Sequence, residues 1–281
     1  MYRLICILLL HMLLTAAVAQ VNIWEGTSVH QNVALTPYLP DTTSSPHIAI
    51  IVCPGGSYFW HDTHAEGPLV GQWLQQNGIS AFILNYRTAH VPAFLFHHRL
   101  LFRGNRYPDA QDDLRQAIRY VKAHAAEYHI DSTKVGVMGF SAGGHLSMLA
   151  AEQFNQADRP AFVVSVYPVV TMQEPYVHKR SRRGLLGDSR KRNQALCDQL
   201  SLERHVPADC PPVFLVNCLD DPIVDYHNAL LLDSALTAKQ INHRYVQFQT
   251  GEHGFGASEQ EGTPECRQWK SIFLEWIKKL L

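Results

Sequence analysis

Three features of this chain have the residue types and order for covalent catalysis: a serine set among glycines, a carboxylate pair and a glycine-flanked histidine. The serine is Ser141, in Gly139-Phe140-Ser141-Ala142-Gly143, between an apolar run at 134–138 and a helical pattern at 144–154. A G-x-S-x-G turn from strand to helix is too sharp to leave room for side chains on either side, hence the glycines. It pushes the serine hydroxyl out at the carboxyl edge of a sheet, at the start of a helix whose dipole favours developing negative charge. Gly-Ser clusters elsewhere are mostly plain turns. The strand before this one and the helix after it favour the nucleophile-elbow reading.

A serine hydroxyl is a weak nucleophile and needs a base, and the base needs an orienting group. In a sheet of this kind the partners follow in the order serine, acid, histidine. Asp220 and Asp221 come directly after the apolar run 213–218, and His253 follows the last strand pattern in Thr250-Gly251-Glu252-His253-Gly254. Asp221 is the favoured acid, with Asp225 and Asp220 as alternatives; by position alone any of the three also suits a turn residue or the cap of the next helix. Sixteen histidines make any single one unexceptional, but only His253 sits in a Gly-flanked loop between the final strand and a C-terminal helix. His145, four residues past Ser141, reads as a packing or hydrogen-bonding group. Acyl transfer also needs amides aimed at an oxyanion. Ala142 should supply one, and the glycine-rich Cys53-Pro54-Gly55-Gly56-Ser57-Tyr58 after an early strand should supply others, at Gly56 and Ser57.

These residues must be placed by alternating elements. Strand patterns fall at 47–53, 79–84, 134–138, 161–167, 213–218 and 244–249, with helical patterns at 65–76, 110–128, 144–154, 226–239 and 264–281. Continuously apolar strands alternating with amphipathic helices predict an α/β protein with a doubly wound, mostly parallel sheet in three layers. Residues 1–19 have the charge, apolar run and Ala-Val-Ala end of a signal peptide, which predicts an exported chain whose single domain is 20–281. No other segment is apolar for long enough to predict a membrane span after signal cleavage. The formal charge of −1 gives no reason to expect nucleic acid as a partner. Five cysteines outside 1–19, with no C-x-x-C, suggest neither a zinc site nor a disulfide scaffold, although a bridge between Cys197 and Cys210 stays open.

CPGGSY, Asn85-Tyr86-Arg87, YPDAQDDLRQAIRYV, GFSAGGHL, LDDPIV and GEHGFG, taken together, resemble the acetylxylan-esterase-like and feruloyl-esterase-like (BD-FAE-type) branch of the α/β-hydrolases, across nearly the whole chain from Val33. The resemblance implies Ser141, Asp221 and His253 as the triad, no metal or organic cofactor, and short acyl groups, acetyl above all, on carbohydrate as substrate. A feruloyl or other aryl esterase is the alternative within enzymes. A carbohydrate-binding module on a hydrolase scaffold is the alternative outside them. The chain departs from the branch in an insertion at 90–106, whose Phe94, Leu95, Phe96, Leu100, Leu101 and Phe102 would form either a lid or acyl-pocket wall, or a patch packed on the surface or at a dimer contact. Tyr58, Phe96 and Phe102 are the candidate substrate contacts. Asp225 stands where the branch often has proline. The stretch 179–192 holds seven Lys or Arg in fourteen positions; it reads as a solvated loop, with recognition of an acidic sugar as the functional alternative.

Overall fold

The structure, a computed structural model, describes residues 20–27, 29, 33–41, 47–96 and 104–281. The expected signal peptide, and Leu100, Leu101 and Phe102 of the insertion, lie outside the described residues. The chain runs β1 (Val21–Asn22), β2 (Ala34–Tyr38), β3 (Ala49–Cys53), α1 (Pro68–Gln76), β4 (Ser80–Leu84), α2 (His90–Leu95), α3 (Asp109–Ala123) and β5 (Val135–Phe140). It continues through α4 (Ala142–Gln153), β6 (Val163–Val166), α5 (Lys179–Leu186), α6 (Gln194–Gln199), β7 (Val213–Cys218), α7 (His227–Ala238), β8 (His243–Phe248) and α8 (Trp269–Leu280).

The strands form one sheet in the order β1-β2-β4-β3-β5-β6-β7-β8. From β4 to β8 all neighbours are parallel, while β2 joins β4, and β1 joins β2, antiparallel. The parallel strands read as unbroken apolar runs because both faces are covered. On β5, Val135 and Val137 pack with α3, α4 and α7, whereas Met138 and Phe140 pack with α1 and α8 on the opposite face. Burying each such side chain contributes about 1.5–3 kcal/mol, so these strands are held from both sides.

The strand order reverses at β3, which has β4 on one side and β5 on the other. A ligand crevice forms at such a reversal, beyond the carboxyl ends of the strands. With Cys53 paired to Gly139, the loop after β3 and the turn after β5 leave the sheet side by side there.

The sequence patterns located the six parallel strands to within a few residues and missed the short antiparallel β1 and β2. The helix expected to 128 ends at Ala123. The stretch 179–192 opens as α5 rather than as a solvated loop. Ser181, Gly184, Leu185 and Leu186 of α5 are buried, and Arg180, Arg182 and Arg183 are partly buried. Cys197 and Cys210 are both free and buried, so the bridge left open between them is not formed.

Candidate active site

Ser141 occupies the turn between β5 and α4 with φ 53° and ψ −117°, a strained conformation for a non-glycine residue. Three backbone hydrogen bonds hold it. Its N–H donates to the Val166 carbonyl (3.0 Å), and its own carbonyl accepts from His145 (3.2 Å) and Val169 (3.2 Å). The flanking glycines are required by proximity. A Cβ on Gly143 would lie 1.9 Å from the Cys53 carbonyl oxygen, and one on Gly139 would lie 2.0 Å from that of Gly143. A Cβ on Gly55, in the loop after β3, would come 2.9 Å from the Ser141 Cβ, so that loop rests directly against the serine.

His253, in the loop after β8, places Nε2 2.9 Å from Ser141 Oγ and Nδ1 2.6 Å from Asp221 Oδ2. The Asp221 side chain is 1% exposed, and its other oxygen accepts from the Ile223 and Val224 amides (2.8 and 2.9 Å). Asp220 instead takes the Gly251 and Glu252 amides (3.1 and 2.9 Å), which fixes the backbone just ahead of His253. Asp225 accepts from the backbone N–H and Nδ1 of His227 (2.9 and 2.7 Å) at the head of α7. Of the three carboxylates weighed from the sequence, Asp221 alone meets the histidine. His145 is fully committed elsewhere: its Nδ1 accepts from the Tyr58 hydroxyl and its Nε2–H donates to the Leu200 carbonyl, each at 2.8 Å. Burial pushes its pKa down to about 4, which keeps it neutral.

The N–H groups of Gly56, Ser57 and Ala142 take no backbone partner among the described residues. The loop carrying the first two is braced by α5, where a Cβ on Gly184 would lie 2.2 Å from the Ser57 carbonyl. A cavity of about 390 Å³ opens over Ser141 and His253, walled by Gly56, Ser57, Trp60, His61 and Arg180 among others. Two of the expected substrate contacts are elsewhere. Tyr58 is buried beneath the loop as the support of His145: its positive φ of 62° turns it into the core. Phe96, 59% exposed at the end of α2, is not among the residues lining this cavity. The third, Phe102, lies outside the described residues. The described part of the insertion stands behind the cavity wall: Phe94 packs edge-on against Phe59 and against Trp60, which lines the cavity, with ring centres 5.2 and 5.3 Å apart.

Sequence reasoning missed Glu66, just ahead of α1. It is 3% exposed, lines the cavity, and accepts from the Gly55 amide (2.6 Å) and the Tyr167 hydroxyl (2.9 Å). Tyr167 in turn accepts from the Gly256 amide (2.9 Å), and its ring lies 4.6 Å from that of His253. One carboxylate thus ties the loop after β3 to the histidine loop. Burial raises its pKa to about 7, against the opposing pull of His253 and its two hydrogen-bond donors. Nothing local in the sequence marks it, because its partners are 11 and 101 residues away. His61, which lines this cavity, was also missed; burial lowers its pKa to about 4, and its Nε2 is buried with no hydrogen-bond partner among the described residues.

A parallel sheet with a strained serine turn after β5, and with carboxylate and histidine loops after β7 and β8, defines the α/β-hydrolase fold. Within that fold the chain belongs to the BD-FAE family, whose family model matches residues 35–236. It is 32% identical over 221 residues to an acetylxylan esterase of Xylanibacter ruminicola, covering 78% of this chain and 43% of that protein. It is 30% identical over 257 residues to endo-1,4-beta-xylanase B of Butyrivibrio fibrisolvens, covering 85% of this chain and 38% of that one. The chain therefore spans about two fifths of the length of these curated relatives. Among solved structures, the acetyl ester-xyloside bifunctional hydrolase of Caldicellulosiruptor lactoaceticus superposes with a TM-score of 0.80 at 29% identity, covering 94% of this chain and 96% of that one.

Proposed function

We propose that this protein is a serine carboxylic-ester hydrolase that removes short acyl groups, acetyl first among them, from carbohydrate. The observation that carries the reading is the unbroken chain of hydrogen-bond contacts from Ser141 Oγ through His253 to Asp221. With Nδ1–H donated to Asp221, His253 Nε2 is free to accept the Ser141 proton as Oγ attacks the ester carbonyl. The tetrahedral oxyanion is held by amides at Gly56, Ser57 and Ala142. Nε2–H then returns the proton to the departing sugar oxygen, the C–O bond breaks, and an acyl-enzyme forms. Water, deprotonated by the same nitrogen, releases the carboxylic acid and restores the serine. Asp221 stays ionised throughout and stabilises the imidazolium.

A cavity walled by His61, Ser57 and Arg180 suits a hydroxylated leaving group, and the names of the relatives point the same way. Residues 1–19 carry the reading that the protein works outside the cytoplasm. Acetate release from acetylated xylo-oligosaccharides, set beside turnover of p-nitrophenyl acetate and feruloyl esters, tests the assignment with Ser141→Ala as control. Release faster than that control on acetyl esters is expected. Rates equal to the control on every ester would overturn it, and a feruloyl preference would replace acetyl.

A further inference from the structure

A second cavity, of about 530 Å³, adjoins the one over Ser141, and Arg180 belongs to the walls of both. Its walls carry six cationic side chains, Lys179, Arg180, Arg182, Arg183, Lys191 and Arg192. Two carboxylates answer them: Glu174 lies 3.8 Å from Lys179 and 3.6 Å from Arg182, and Asp188 lies 3.1 Å from Arg183 and 2.7 Å from Lys191. The formal excess is four positive charges. Arg180 and Arg192 have no carboxylate partner among the described residues; Arg180 donates through Nε to Ser57 Oγ (3.0 Å) and lies over the Trp60 ring at 5.6 Å.

A solvated basic face would spread its charges into water. Here Arg182 and Arg183 are only 18% and 13% exposed, but they are held by protein acceptors, Arg182 by the Met172 carbonyl and Arg183 by Asp188 and the Ala93 and Phe94 carbonyls, so Arg180 and Arg192 are the guanidinium groups at this cavity with no carboxylate partner among the described residues. Like charges gathered in a walled pocket raise its potential and repel one another until an anion enters. A neutral polysaccharide makes no use of such a field. The guanidinium fork matches the planar geometry of a carboxylate.

We propose that this cavity is a subsite for the carboxylate of a uronic-acid substituent, so that the protein acts preferentially on acyl groups beside an acidic sugar. The inference rests on the esterase reading for its catalytic meaning. Binding at the subsite can be measured without turnover.

The test uses the full chain as Ser141→Ala, titrated calorimetrically with an unacylated xylo-oligosaccharide bearing one glucuronic-acid branch and with the methyl ester of the same sugar. The acid should bind at least ~10-fold more tightly than the ester at low salt, and the ratio should shrink as salt screens the field. Arg180→Gln, and separately Lys179→Ser with Arg192→Ser, should bring the ratio towards one. Arg180→Lys, which keeps charge without the fork, should fall between and serves if Arg180→Gln does not fold. Equal binding of acid and ester would overturn the subsite, and tighter binding of a sulfated oligosaccharide would overturn its carboxylate assignment. With wild-type protein, the preference should appear in KM for acetate release. No acetate release from any sugar would defeat the esterase reading while leaving the binding ratio to decide the subsite.

Discussion

The sheet edge around Ser141 and the rim that α2 and α5 build above it are held together in different ways. At the edge, backbone meets backbone: the Gly143 position leaves 1.9 Å between a would-be Cβ and a carbonyl oxygen, and each carboxylate oxygen of Asp220 and Asp221 has a named donor. At the rim, side chains do the joining. Phe94 meets Trp60 ring to ring, Arg183 donates to the carbonyls of Ala93 and Phe94, and Leu95 and Phe96 are exposed. The difference teaches where change is tolerated. Backbone close approach admits one residue type, whereas a wall of side chains can be rebuilt without moving the groups that react.

Substitutions can break or sharpen that contrast. At the edge, Ser141→Ala should lower kcat for acetate release roughly 10⁵- to 10⁶-fold with the thermal midpoint nearly unchanged; a loss below tenfold would remove the serine from its role. Asp221→Asn should cost roughly 10⁴-fold in kcat, because an amide cannot hold the same imidazole tautomer. Asp225→Ala should leave kcat near wild type and lower stability by about 1 kcal/mol, the usual cost of losing a side-chain hydrogen bond, here the one from the His227 amide. Comparable rates for the two aspartate variants would contradict the assignment of Asp221. Gly143→Ala should destabilise by about 3 kcal/mol or more, read from denaturant unfolding, since its Cβ meets backbone. Gly254→Ala, with φ 85° but open space around it, should cost only about 1–2 kcal/mol.

Glu66 joins the two loops of the edge through side-chain acceptors, so it should behave between these extremes. Glu66→Gln should lower kcat about tenfold, because the amide group of glutamine faces a donor where the carboxylate faced two. The pH dependence follows from a folded pKa of about 7, raised from 4.5. Between those values the folded protein keeps a proton that the unfolded chain has released, so this group's contribution to stability is present at low pH and is lost as pH rises through about 7. The Glu66→Gln thermal midpoint should therefore gain on wild type from pH 5 to pH 8, and a constant difference would refute the raised pKa. At the rim, Phe94→Ala should have a small effect on acetate release, with kcat/KM for a small ester within about threefold of wild type, since it removes packing behind Trp60 and no reacting group.

Legibility in the sequence follows the same division. Ser141, Asp221 and His253 could be placed because each sits directly after a strand of recognisable pattern, and parallel strands deliver their following loops to one edge. Gly139 and Gly143 were legible for a related reason, since a tight turn excludes side chains whatever lies around it. Asp220 and Asp225 could be separated from Asp221 only in three dimensions: all three follow β7 closely, and a choice between them depends on which oxygen faces an imidazole 32 residues later. Tyr58 and Phe96 were misjudged because an aromatic beside a catalytic loop can turn either into the core or into the cleft, and its neighbours in sequence do not say which.

The sequence by itself determined the alternation of apolar strands and helices, the serine turn and the order of its partners, because these rest on local periodicity and on steric rules that act over a few residues. Only the tertiary structure decided that a glutamate ahead of α1 would be buried between the loops after β3 and β8, and that a run of arginines would fold as a helix beside a cavity. Burial and the pairing of charges depend on groups scores of residues away, and the free energy that settles them exists only once the chain has brought those groups together.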